Sequence, residues 1–119
     1  MLTELGKYLK RYRIDNGLLL KDMAAELNIT PAYLSAIENG KRTPTVDFVK
    51  NIGYAFCFDE NNVKDLMDAY YKTINTIIIN TNSANDRQIN LGLVFARKIG
   101  SLSDEQIFQI YQILHDDGH

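Results

Sequence analysis

Leu2, Leu5, Leu9 and Tyr12 recur at three- and four-residue spacing, the stripe of an amphipathic helix ending near Asn16-Gly17. Leu20, Met23, Ala24 and Leu27 line one face of a second, shorter helix that breaks at Asn28-Ile29. Thr30 followed by Pro31 reads as an N-cap with proline in the first turn, where its missing N–H removes no helical bond. This predicts a third helix to about Glu38, with Leu34 and Ile37 inward and Asn39-Gly40 as its stop. Thr45 is placed to cap a fourth helix holding Phe48, Val49, Ile52 and Phe56. A fifth, after Asn61-Asn62 and reaching about residue 72, presents Val63, Leu66, Met67, Tyr70 and Tyr71.

Beyond residue 72 the pattern changes. Residues 73–81 are rich in β-branched side chains, Ile77-Ile78-Ile79 among them, which favours a short strand, the only one expected in the chain. Polar residues 80–86 read as a turn or linker. Ile89, Leu91, Leu93, Val94, Phe95, Ala96 and Ile99 then make a helix apolar on most of its sides. Ser103-Asp104-Glu105-Gln106 is a capping-box signature for a last helix with Ile107, Phe108, Tyr111 and Leu114. Asp116 and Asp117 oppose the dipole at its end, which predicts fraying there, with His115 and His119 solvated.

With 45% hydrophobic positions in 119 residues the chain has ample material for a packed core. No apolar run approaches the ~18 residues of a membrane span, and the first residues carry no signal-peptide pattern, so a soluble, cytoplasmic protein is expected. Cys57 is the lone cysteine; between Phe56 and Phe58 it reads as a small buried hydrophobe. No metal-ligand spacing, Ser/His/Asp constellation or glycine-rich phosphate loop is recognisable. The expectation is a non-enzyme, with no catalytic residues, no metal and no cofactor.

A formal net charge of −2 argues weakly against nucleic acid as a partner, but binding responds to the local field. Residues 1–58 hold eight bases against six acids, a net of +2, and residues 59–119 five bases against nine acids, a net of −4. Such asymmetry suggests two tasks.

Two short helices joined by a tight turn inside a helical bundle describe a helix-turn-helix reader of DNA. The run from Gly17 to Pro44, with Ala24 where helices two and three must approach and Leu34-Ser35-Ala36-Ile37-Glu38-Asn39-Gly40-Lys41 as a recognition helix and its exit, closely resembles the lambda-repressor-like (XRE-type) helix-turn-helix family over roughly residues 5 to 58. The resemblance implies a sequence-specific double-stranded DNA-binding transcriptional regulator. By it, Pro31, Ala32, Tyr33, Ser35 and Ala36 face the bases, while Thr30, Asn39, Lys41 and Arg42 match positions that hold phosphates. It further implies that Arg13 and Glu38 form an internal salt bridge between helix one and the recognition helix. The chain departs from the family at Leu19 and Leu20, where a polar N-cap and a phosphate-binding Gln are usual; Lys21 is the candidate substitute. No Arg, Asn or Gln stands among the groove-facing positions, so direct base readout should be modest and DNA shape should assist.

The expected architecture is therefore mainly α: a five-helix DNA-binding bundle centred on residues 1–58, and an extension over 73–119 of one strand and two helices. A +2 module neutralises few phosphates alone, which favours a homodimer reading a palindromic operator. The strand, paired with its copy, and the next helix would supply the interface through Ile77, Ile78, Ile79, Leu91, Val94 and Phe95. The same segments could instead pack on the bundle. A repressor of bacterial or phage type fits this reading; the alternative is an antitoxin-like protein whose acidic second half binds a protein partner.

Overall fold

The computed structural model describes residues 1–116. Seven α-helices follow in order: α1 Glu4–Asp15, α2 Leu20–Glu26, α3 Pro31–Glu38, α4 Val46–Ala55, α5 Glu60–Ile74, α6 Asp86–Lys98 and α7 Asp104–Asp116, with a short 3-10 turn at Ile99–Ser101. The chain divides into two compact units, Met1–Ile78 and Ile79–His119.

In the first unit, hydroxyl or carboxylate caps mark four helix starts. Thr3, Thr30, Thr45 and Asp59 accept from the backbone N–H three residues on, satisfying donors that helix geometry leaves free. Asn28 and Gly40, both at positive φ, stop α2 and α3. The inward stripes meet in one core built from Leu5, Leu9, Met23, Ala24, Leu34, Ile37, Val49, Ile52 and Leu66. An aromatic layer of Tyr8, Tyr12, Phe56 and Phe58 packs against it, with the Tyr12 and Phe58 ring centroids 4.9 Å apart.

The expected strand over residues 73–81 is not there: among the described residues no strand forms. α5 begins at Glu60, ahead of Asn61-Asn62, and continues through Ile74. Local β-branched preference is overridden by tertiary contacts at this end. The Thr73 hydroxyl donates to the carbonyl of Ala69 (2.8 Å) and accepts from the otherwise free backbone N–H of Leu5 near the start of α1 (2.9 Å). Ile74 packs on the core, and Asn75 in the left-handed region then ends the helix. Ile77, Ile78 and Ile79 follow as exposed, irregular chain. Cys57 also departs from expectation. It is exposed, because it occupies the left-handed position just past α4 (φ 54°) while Phe56 and Phe58 on either side turn inward.

Two phenols close this unit. Tyr70 donates to the carbonyl of Pro44 (2.8 Å), and Tyr8 to that of Asn62 (3.1 Å). Burial, then Tyr71, raises the Tyr70 pKa above its ordinary 10.0; burial, then Asp65, Tyr12 and Asp59, raises that of Tyr8. The folded state thus favours the neutral phenols, so their stabilisation is complete below pH 10.0 and is lost as pH rises through the elevated folded values. The melting temperature should fall above about pH 10, the ordinary tyrosine value. Tyr70→Phe should lower stability by about 1 kcal/mol at neutral pH yet flatten that alkaline decline, as thermal melts across the range would register.

In the second unit, α6 opens on a reciprocal cap between Asn85 and Gln88, with both bonds at 2.9 Å. α7 opens on the equivalent pair, Ser103 and Gln106. No residue from 79 to 115 is buried. His115 sits in the last turn of α7, with Nδ1 2.7 Å from the Tyr111 carbonyl oxygen; Asp117 and His119 lie outside the described residues.

Candidate nucleic-acid interface

α3 divides cleanly by side. Leu34, Ile37 and Glu38 are buried, while Pro31 and Ala32 are exposed and Tyr33, Ser35 and Ala36 are half-buried. The five positions expected to face bases therefore share the accessible side of one short helix, within its first six residues. Its start is capped by the exposed Thr30, whose hydroxyl accepts from the Tyr33 N–H at 3.1 Å.

The exit of α3 brings the charged residues in. The Lys41 and Arg42 N–H groups both reach back to the Ala36 carbonyl (2.9 and 3.2 Å), which folds the exposed pair against the helix end. The Arg42 guanidinium then sits over the Tyr33 ring, 5.9 Å from its centroid, while the Phe48 ring meets Tyr33 edge-on at 6.2 Å. Tyr33 is thus held between an α4 aromatic and the cation that follows α3. No periodic pattern links positions 33, 42 and 48, so sequence reasoning had no signal for this stack. Asn39 is more constrained than its neighbours: its amide donates to the Ser35 carbonyl at 2.9 Å.

At the opening of α2, Leu19 occupies the cap position and has no side-chain acceptor. The Asp22 carboxylate instead accepts from the Leu19 N–H (2.9 Å), and Lys21 stands exposed in the first turn.

The helix carrying these positions is anchored from behind. Arg13 donates through Nε and Nη2 to the two carboxylate oxygens of Glu38, at 3.2 and 3.0 Å, with side-chain exposures of 15% and 4%. At the same point α1 meets the backbone of α3: the Thr3 N–H donates to the Glu38 carbonyl (3.1 Å), and Gly6 lies against that carbonyl so closely that a Cβ there would fall 2.0 Å from its oxygen. The helix pattern identified α1 and α3, but not this backbone contact between them.

The helix-turn-helix family profile matches residues 9–52, from α1 into α4. The chain is 40% identical over 53 residues to the uncharacterized HTH-type transcriptional regulator YqaF of Bacillus subtilis (strain 168), a match covering 44% of this chain and 70% of that protein. The chain belongs to the XRE-type helix-turn-helix family. No solved structure matches it. In helix-turn-helix terms α2 and α3 are the paired helices, and the turn between them is Leu27–Thr30, with Asn28 at φ 58°. The remaining positions proposed from sequence for assembly, Ile77, Ile78, Ile79, Leu91, Val94 and Phe95, are all exposed and lie outside the helix-turn-helix match. No helix among the described residues is long and apolar enough to cross a membrane, and no group of potential metal ligands is found among them.

Proposed function

We propose that this chain is a sequence-specific, double-stranded DNA-binding transcriptional regulator, acting in the cytoplasm as a dimeric repressor on an inverted repeat. The observation that carries the reading is α3 within the helix-turn-helix match: one side of it is accessible, the small side chains of Ala32, Ser35 and Ala36 there leave room for base edges, and Lys41 and Arg42 follow it. Pro31, Ala32, Tyr33, Ser35 and Ala36 enter the major groove, with Ala32 and Ala36 offering methyl contacts and Tyr33 and Ser35 hydroxyls. Thr30, Lys21, Asn39, Lys41 and Arg42 hold phosphates. Residues 1–58 form the reading module, extended by α5 through Ile74, and the chain beyond α5 is the assembly segment. Modest positive charge per protomer makes two copies necessary for useful affinity at physiological salt.

Selection from a random DNA pool at stated salt should return an inverted repeat whose half-sites lie about one helical turn apart, roughly 34 Å. Arg42→Ala should weaken binding about tenfold on every sequence and reduce the salt slope by about 0.9 per protomer, the value for one phosphate. Tyr33→Ala should reduce the preference for the selected site over random DNA. Unchanged affinity and unchanged preference in both variants would remove α3 and its exit from the interface.

A further inference from the structure

α6 and α7 carry an apolar surface that neither helix covers on the other. From Leu91 to Leu114, ten large apolar side chains are 37–70% exposed, including Leu91, Phe108, Tyr111 and Leu114 at 60% or more. α6 and α7 do not pack along one another. Two 13-residue helices without a core are not sustained by propensity, because isolated helices of that length are marginal in water. At on the order of 100 Å² for each partly exposed side chain, the surface approaches roughly 1,000 Å². Summed over both helices, that reaches the about 800 Å² per partner of a standard interface.

Charge indicates the occupant. α6 carries Arg87, Arg97 and Lys98 against Asp86, a net of +2. α7 carries Asp104, Glu105 and Asp116 and no Lys or Arg, a net of −3. Two apolar helices of opposite sign that do not pack along one another within the second unit complement each other between two chains. A twofold axis makes that contact twice and closes the assembly.

We propose that the second unit is completed by another copy of this chain, with α7 of each protomer lying along α6 of its partner, so that these helices become stably ordered only on association. This rests on the dimeric reading above and specifies its interface; it replaces strand pairing with helix exchange.

The full-length chain at about 150 mM salt tests it by sedimentation equilibrium and far-UV circular dichroism over a dilution series. The expected result is a dimer at micromolar concentration that loses helix content as it dissociates. Phe108→Asp, which alters a side chain already exposed in the single chain, should weaken association about 100-fold. Reversing α6 (Arg97→Glu with Lys98→Glu) or α7 (Asp104→Lys with Glu105→Lys) should weaken each homodimer, and mixing the two variants should restore a heterodimer. A wild-type chain that remains monomeric overturns both the exchange and the dimeric reading. A wild-type dimer that the α6 reversal leaves equally tight overturns helix exchange alone, since like-on-like pairing of α6 would not be harmed by it.

Discussion

Gly6→Ala should abolish the folded first unit at physiological temperature, or lower its stability by about 3 kcal/mol or more, the upper range for forcing extra volume into a packed contact. A Cβ at position 6 would lie 2.0, 2.7 and 2.9 Å from the carbonyl oxygen, carbonyl carbon and Cα of Glu38. All three are backbone atoms, so no rotamer change relieves the clash. α1 would have to retreat from α3, which opens the packing around Leu5, Leu9 and Ile37 and breaks the bond from the Thr3 N–H to the Glu38 carbonyl. Total stabilities of small domains are only about 5–15 kcal/mol, so this is a large fraction of the whole. Gly92→Ala is the matched control: a Cβ there meets nothing within 4 Å, and mid-helix alanine should be neutral or favour α6. Urea titrations of both variants give the comparison, and a Gly6→Ala midpoint equal to wild type would refute the backbone contact.

Arg13→Ala should cost about 3 kcal/mol, the low end of the range for removing one partner of a buried ion pair, because Arg13 itself is 15% exposed. The penalty comes less from the lost attraction than from leaving the Glu38 carboxylate, 4% exposed, with no cation at hand. Arg13→Lys should recover only part, because a single ammonium cannot reproduce the two-point contact of Nε and Nη2. Arg13→Met combined with Glu38→Leu should be far closer to wild type than either single change. A double-mutant cycle by thermal denaturation measures this directly; additive losses would mean that the two side chains are not energetically coupled.

Where local chemistry decides an element, the sequence was a good guide. Thr30-Pro31 and Asn39-Gly40 delimit α3, Thr45 opens α4, and Ser103 with Gln106 opens α7, because caps are short-range and carry recognisable residue types. Residues 73–81 show the opposite case. Their β-branched composition expresses a weak local preference, whereas Thr73 and Ile74 are committed to α5 by a hydroxyl bond to Leu5 and by core packing, both set by partners distant in sequence. Cys57 is a related case: its aromatic neighbours suggest burial, but the left-handed turn after α4 sends the middle side chain outward. Within the candidate interface, the accessible side of α3 follows from helical period alone. The Tyr33 stack does not, since it depends on a ring on α4 and a cation beyond α3 being brought to the same place.

That stack bears on how a regulator of this design changes its target. Tyr33, proposed as a base-facing side chain, shares its ring with Arg42, proposed as a phosphate ligand, so the two positions are coupled. Under the proposed roles, a substitution at 33 that suited a new operator would also remove the ring beneath the cation at 42, a contact of about 0.5–1 kcal/mol at an exposed site, and so loosen a phosphate ligand shared by every DNA sequence. Descendants acquiring new operators should therefore change both positions in step, or add a base elsewhere on the same face before altering either.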